Sequence, residues 1–480
     1  MNFKKTIINS FIWTISEKLG VQLIQFVLSV FIARILSPED YGTVALIYIF
    51  IAVSNVFIDS GFGKSLIQEN NINDNDYSTV FYFNLAVSLI FYIILYFIAP
   101  FISSYYSLPI LTDLIRVISL VLIINAFTII PNVIFSVSLN FKPLAISKTI
   151  SSLFGGIVGL ISAYNGLGAW SLVNMSITSN FLLAFFQFYQ VKWIPKFYFS
   201  FKSLKRLYSF GSKLFFGALL DSVVRNLSSI FIGKVFDSKS LGFYSKGIGF
   251  ANIASNTTVS ILFSVLFPTF SKLNGNSEKF LEALKYSVKY VTLIIVPFFL
   301  LTALLAKPLI IILLSDKWIL TASILQIIIL SRMINIIALI NIQALQSIGR
   351  SDITFKQDLI KSIISILFLL LTYRFGIIWI AIGELLASLI NYSINVYPSE
   401  KLFNYGIFKQ LKEIYIILLC AFVSILVSYV FLENFQMNNY FKIISGFSIT
   451  ITVYIASLIL IGEAEVVKIF NKLKKHIKIE

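Results

Sequence analysis

Apolar runs of about twenty residues, each closed by a short polar or charged stretch, fill the chain from residue 11 to residue 462. Fourteen such runs are readable, at 11–36, 41–60, 79–100, 113–138, 144–164, 167–190, 211–235, 241–267, 286–306, 318–345, 355–374, 377–397, 412–432 and 442–462. Each is about the length a helix needs to cross the ~30 Å hydrocarbon core of a bilayer. Helices are the open-chain structure that satisfies the backbone in lipid. The predicted fold class is therefore all-α: a polytopic membrane protein of about 14 transmembrane helices. The polar interruptions are densest in 241–267, which holds Lys246 and several Asn, and the pair 355–397 is closely spaced.

Two stretches lying 200 positions apart read alike. Residues 29–42 are SVFIARILSPEDYG and residues 229–242 are SIFIGKVFDSKSLG, with identity at Ser29/Ser229, Phe31/Phe231, Ile32/Ile232 and Gly42/Gly242. Both close a long apolar helix, which points to two similar halves, an arrangement typical of transporters. The longest polar segment, 191–210, follows the sixth run. Six is even, so the halves share one orientation and relate by an axis along the membrane normal. The expected organisation is an N-terminal six-helix lobe at 1–190, a cytoplasmic linker at 191–210, and a second six-helix lobe at 211–400. Two extra helices and a basic tail complete it at 401–480.

Composition agrees with a lipid-facing protein. The chain is 58% hydrophobic and 12% charged, whereas soluble domains are about 25% charged. The net charge of +16 would suggest nucleic acid in a soluble protein. Here the charges sit between apolar runs, and no nucleic acid is expected. Of the Lys and Arg residues, 26 fall on one side of the predicted topology and seven on the other. By the positive-inside rule both termini are cytoplasmic. Trp13, Trp170, Trp193, Trp318 and Trp379 lie near span ends, as an aromatic belt at the membrane interface would place them. With one cysteine, Cys420, and one histidine, His476, neither a disulfide nor a zinc site is expected within one chain, and no cofactor is expected.

The chemistry lies in ionisable residues inside spans, where a charge costs about 2.5–3.5 kcal/mol at a helix centre. They are Glu17, Lys18, Arg116, Asp221, Arg225, Lys246, Arg332 and Glu384. Asp221 and Arg225 are four residues apart and share a helix face; they form either a self-neutralising pair or a cavity lining in which Asp221 tunes Arg225. Lys18 and Lys246 either snorkel to an interface or face a cavity. Arg332 is more central, so a buried partner or a cavity is expected. Glu384 is either its interhelical partner or a proton site. Arg116 reads as a local pair with Asp113. Amides at Asn55, Asn125, Asn226, Asn252, Asn256, Asn335 and Asn391 are expected to bond between helices. Five cations against three anions favour an anionic ligand, with phosphate or pyrophosphate the natural class.

Several motifs in order resemble a known family: ARILSPEDYG at 33–42, the run from Asp59 to Gln68, APFISSYY at 99–106 and NGLGAWSLV at 165–173. LGFYSKGIGFANI at 241–253 and LFPTFSKL at 266–273 continue the pattern. Across residues 1–400 the chain resembles the bacterial flippases of O-antigen and exopolysaccharide repeat units, in the multidrug/oligosaccharidyl-lipid/polysaccharide exporter superfamily. The resemblance implies a MATE-like fold of two six-helix lobes around a central cavity, lined by helices one, two, seven and eight. It implies alternating-access movement of undecaprenyl-pyrophosphate-linked oligosaccharide across the inner membrane, beside a polysaccharide polymerase and chain-length machinery. On that reading Lys18, Arg225, Lys246 and Arg332 would bind substrate, and Glu17, Asp221 or Glu384 would couple an ion. Arg34 and Lys234 would either help close the outer side or anchor at the interface.

Two alternatives are weaker. A drug/cation antiporter of the same superfamily calls for an acidic interior. A membrane-embedded polymerase or glycosyltransferase calls for a catalytic acid or base on sizeable water-facing loops, and the outer loops here are short and poor in Asp and Glu. The protein is not expected to be an enzyme.

Overall fold

The computed structural model describes residues 20–69 and 72–462. The chain is helical: α1 (Gly20–Ile35), α2 (Pro38–Asp59), α3 (Phe62–Gln68), α4 (Asp74–Tyr106), α5 (Leu111–Ile118), α6 (Leu120–Val137), α7 (Lys142–Tyr164), α8 (Trp170–Val191) and α9 (Phe201–Val235). There follow α10 (Ser238–Leu273), α11 (Ser277–Leu304), α12 (Ala306–Leu314), α13 (Ile319–Ser347), α14 (Ser351–Thr372), α15 (Ile377–Phe403), α16 (Ile407–Asn434) and α17 (Asn439–Ile461). Among the described residues 11 helical stretches are long and apolar enough to cross a membrane, which makes this a multi-pass membrane protein.

Three of the fourteen predicted runs are not among those 11. The first is described only from Gly20. The other two, α8 and α14, are 22 residues each but carry more polar positions. In α8 these positions bond to neighbouring helices: Asn174 to Ser162 Oγ (3.2 Å), Gln187 to Asn132 Oδ1 (3.1 Å) and Gln190 to Ser147 Oγ (2.9 Å). Side-chain amides do here what apolar surface does elsewhere, as is usual between helices in lipid.

The chain forms two compact units, Met1–Ser245 and Lys246–Glu480. Within the first unit the repeat is visible as matching breaks. Helix α1 ends at Ile35 and α2 starts at Pro38; α9 ends at Val235 and α10 starts at Ser238. The caps match with their residues exchanged. Ser37 Oγ accepts from the Asp40 amide (3.1 Å), while Asp237 Oδ1 accepts from the Ser240 amide (2.6 Å). Each side-chain oxygen satisfies a helix-start N–H that would otherwise be orphaned.

The two matching glycines then meet. A Cβ on Gly42 would lie 1.6 Å from the Ser238 carbonyl oxygen, and one on Gly242 would lie 1.7 Å from that of Pro38. Helices α2 and α10 therefore cross through their first turns, backbone on backbone, in a reciprocal contact that only glycine admits.

Elsewhere in this unit the segment after α8 is tied down. Its Lys196 and Ser200 amides donate to Ser78 Oγ (3.0 Å) and Thr79 Oγ1 (3.2 Å) at the start of α4. Lys196 also pairs with Asp74 (3.0 Å), and Arg206 with the buried Asp76 (2.9 Å). Trp193 packs edge-on against Tyr77 and Phe81, in a core built from Phe62, Leu66, Val80, Ile130 and Val133. Close approach of α7 to α8 uses Gly155 and Gly159, whose added Cβ atoms would strike Ser179 and Met175, a small-residue spacing typical of helices in membranes.

In the second unit α16 and α17 are built into the core. Val296 of α11 and Ile337 of α13 pack with Ile417, Cys420, Ala421, Tyr454 and Leu458. Asn341 and Gln410 exchange amide hydrogen bonds (3.3 and 2.9 Å), and the Tyr454 hydroxyl donates to the Leu293 carbonyl (2.9 Å).

Two sequence expectations are corrected. Trp318 is fully buried, in a short 3₁₀ turn at Asp316–Trp318, so it fills the core and does not face a lipid interface. Arg116 does not pair with Asp113. Its Nε donates to the Tyr96 carbonyl (3.4 Å) and its guanidinium lies 4.5 Å from the Tyr96 ring centre. The ring and carbonyl of α4 offer it a partner that needs no desolvated carboxylate.

Candidate functional site

In the second unit α10, α13 and α15 bring three of the intramembrane polar residues together. Arg332 donates from Nη1 to Glu384 Oε1 at 2.6 Å and from Nε to Asn252 Oδ1 at 2.9 Å. Both charged side chains are mostly enclosed, 19% and 29% exposed. The structure thus realises the Arg332–Glu384 partnership that their central positions suggested. Asn252 belongs to the arrangement as a direct acceptor, beyond the general interhelical role its type implied. A charged pair in lipid lowers its own cost by pairing, and the amide completes the Nε side.

A guanidinium has five N–H donors in a planar fork. Those on Nη2, and the second one on Nη1, have no protein partner among the described residues. This open Nη edge has the geometry that takes two oxygens of a phosphate or carboxylate. Polar capacity continues along the same helices. The buried Ser331 hydroxyl, both amide atoms of Gln343 and the Asn391 Oδ1 have no hydrogen-bond partner among the described residues.

The first unit repeats the motif on one helix. Arg225 Nε donates to both carboxylate oxygens of Asp221, at 2.7 and 2.8 Å. The pair is exposed, 76% and 59%, and its Nη edge is again open among the described residues. Its position matching Arg225 in the first repeat holds Gln25, which contacts Ser152 (3.5 Å), so the charge has no counterpart there.

Lys246 of α10 is only 7% exposed, so protein encloses it and it does not extend to an interface. Glu17 and Lys18 lie outside the described residues. Lys234 donates to the Tyr105 carbonyl at 2.6 Å and lies 3.9 Å from that ring centre. It caps the C-terminal end of α4, where a cation is favoured. Among the described residues no three His, Cys, Asp or Glu side chains gather as a metal site would require.

This arrangement, membrane helices with carboxylate-held arginines whose outer edges stay open, defines a membrane protein suited to an anionic ligand. The chain belongs to the family described as polysaccharide biosynthesis protein, which matches residues 31–323. It is similar to the succinoglycan biosynthesis transport protein ExoT of Rhizobium meliloti (strain 1021), 24% identical over 359 residues, covering 75% of this chain and 73% of the relative. Its fold is similar to that of the lipid II flippase MurJ in an inward closed conformation. The TM-score is 0.76 at 18% identity, covering 95% of this chain and all 100% of that one. It is also similar to an inward-facing multidrug resistance MATE family transporter of the MOP superfamily, with a TM-score of 0.57 at 16% identity, covering 82% and 100% of the two chains. The MATE-like fold expected from the motifs is the fold of this chain.

Proposed function

We propose that the protein is a flippase for undecaprenyl-pyrophosphate-linked oligosaccharide repeat units, serving O-antigen or exopolysaccharide synthesis at the bacterial inner membrane. The observation that carries this reading is the Arg332 fork, fixed by Glu384 and Asn252 with its Nη edge unoccupied by protein. Family membership and the likeness to a polysaccharide transport protein support the sugar-linked substrate. A pyrophosphate offers paired oxyanions that match a guanidinium fork, while the polyprenyl tail remains in lipid. Arg225 is a second substrate-binding candidate, with Lys246 and Lys18 beside it on the sequence reading. Glu384, Asp221 and Glu17 are candidates for ion coupling. Transport proceeds by alternating access, and no covalent step is needed.

Deleting the gene in its host should cause cytoplasmic-leaflet accumulation of lipid-linked repeat unit and loss of surface polysaccharide. The wild-type gene should reverse both, and Arg225→Ala should not. Normal surface polysaccharide in the deletion strain would sink the proposal.

The reading also places both termini and the 191–210 segment in the cytoplasm, from the distribution of Lys and Arg. A reporter enzyme inserted after Lys205 should give a cytoplasmic signal. A periplasmic one would reverse the whole topology.

A further inference from the structure

Away from these arginines, a groove runs between the first turns of α14 and the last turns of α15, wholly within the second unit. It encloses about 600 Å³, inside the ~300–1,000 Å³ range of small-molecule sites. Helix α14 begins at Ser351 and α15 ends at Phe403, so the groove has a mouth at these termini and runs inward along both helices. Arg350, Lys356 and Lys401 line the mouth, and Ile360, Ile390 and Ile394 line the inner part. At 1.5 Å per residue, Ile360 lies roughly 15 Å along α14 from Arg350 and about 6 Å from Lys356, and Ile390 roughly 16 Å along α15 from Lys401. The groove is therefore polar and cationic at one end and apolar at the other.

The charges at the mouth are unbalanced. Arg350 is held by Asp352 (3.1 Å), and Lys401 sits 4.8 Å from the Tyr397 ring centre. Lys356 has no carboxylate partner among the described residues, since the neighbouring Asp358 is taken by Lys361 (2.7 Å). Three cations thus face one carboxylate. One bond ties the two walls of the groove together. Gln357 lines the groove, is only 4% exposed, and donates from its Nε2 to the Ile394 carbonyl, which fixes α14 against α15 beside Lys356.

We propose that this groove is a binding site for an anionic phospholipid of the bilayer, separate from the transport site. The phosphate lies on Lys356 and Lys401, and one acyl chain follows Ile360, Ile390 and Ile394. The proposal needs only that the chain spans a membrane; it is independent of which substrate is carried. The α14–α15 pair shares this unit with the Arg332–Glu384 cluster, so lipid occupancy would stiffen the scaffold that holds Glu384 on α15.

The test uses the full-length protein, delipidated in detergent and examined by native mass spectrometry with added phosphatidylglycerol, phosphatidylcholine of the same acyl chains, or undecaprenyl phosphate. Phosphatidylglycerol should be retained in preference to phosphatidylcholine. The Lys356→Gln/Lys401→Gln protein should lose that retention roughly tenfold or more, as expected when two cations leave a head group. A charge-matched control, Lys409→Gln/Lys412→Gln on the neighbouring α16, should keep it. Ile390→Trp, which fills the apolar end and leaves every charge, should also weaken it. Equal loss in the control, equal retention of phosphatidylcholine, or lysine-dependent displacement of phosphatidylglycerol by undecaprenyl phosphate would each overturn the proposal. The last result would make the groove a carrier-tail site instead.

Discussion

Replacing Arg332 with alanine should abolish transport and lower the melting temperature of the purified protein. The substitution removes a guanidinium that holds Glu384 at 2.6 Å and Asn252 at 2.9 Å. Glu384 then loses its guanidinium partner; breaking one side of an enclosed pair costs up to about 3–5 kcal/mol, less where the carboxylate keeps another contact, as Glu384 does. Partial exposure of both side chains places the cost at the lower end. Arg332→Met combined with Glu384→Leu separates stability from function. Both charges leave together, apolar residues of similar size take their places, and stability should return to near the wild-type value. Transport should stay lost, because the fork for oxyanions is gone. The measurements are thermal melting in detergent and recovery of surface polysaccharide in a deletion strain. If the double variant transports like wild type, Arg332 does not bind substrate.

Gly42→Ala and Gly242→Ala should each destabilise the protein. The new methyl at either position meets a backbone carbonyl oxygen at 1.6 or 1.7 Å, and backbone atoms in a capped helix start cannot rotate aside. Overpacking costs typically 1–3 kcal/mol, and a clash with backbone sits at the upper end or beyond. At about 2–4 °C per kcal/mol for a unit of this size, the loss is a shift of several degrees. The double variant should cost less than the sum of the singles, because one separation of α2 from α10 relieves both clashes. Transport should fall with stability. Two alanine variants that melt and transport like wild type would show that the contact is dispensable.

Much of this was readable from residues alone because membrane helices carry their own signal. The apolar runs, the break at Ser37 and Asp237, and the matched glycines all lie in short local patterns. What the sequence could not show is what meets across helices. Arg116 looked paired with Asp113 because they are three residues apart, yet the ring and carbonyl of Tyr96 on another helix serve it better. Trp318 looked interfacial by its place at a span end, but burial is decided by neighbours and it is enclosed. The Arg332–Glu384 pair was foreseeable, since two opposite charges deep in lipid seek one another. Asn252 as their third member was not, because several amides were equally placed in sequence. The α14–α15 groove left no trace, for its three cations sit at two different helix ends that only the fold brings together. In the structure α9 and the start of α10 cluster with the first unit, and the Gly42–Gly242 crossing ties α10 to α2 there.

The open Nη edges bear on how fast such a protein can work. A ligand docking there has no need to break the arginine's bond to Glu384 or Asp221, so arrival strands no carboxylate. Departure likewise leaves a neutral pair behind, which has little cause to recapture the anion. On the proposed function, each arginine would grip through part of its hydrogen-bonding capacity only. A carrier must let go as readily as it holds, and on that function the partner that stays in place would shorten residence at these positions.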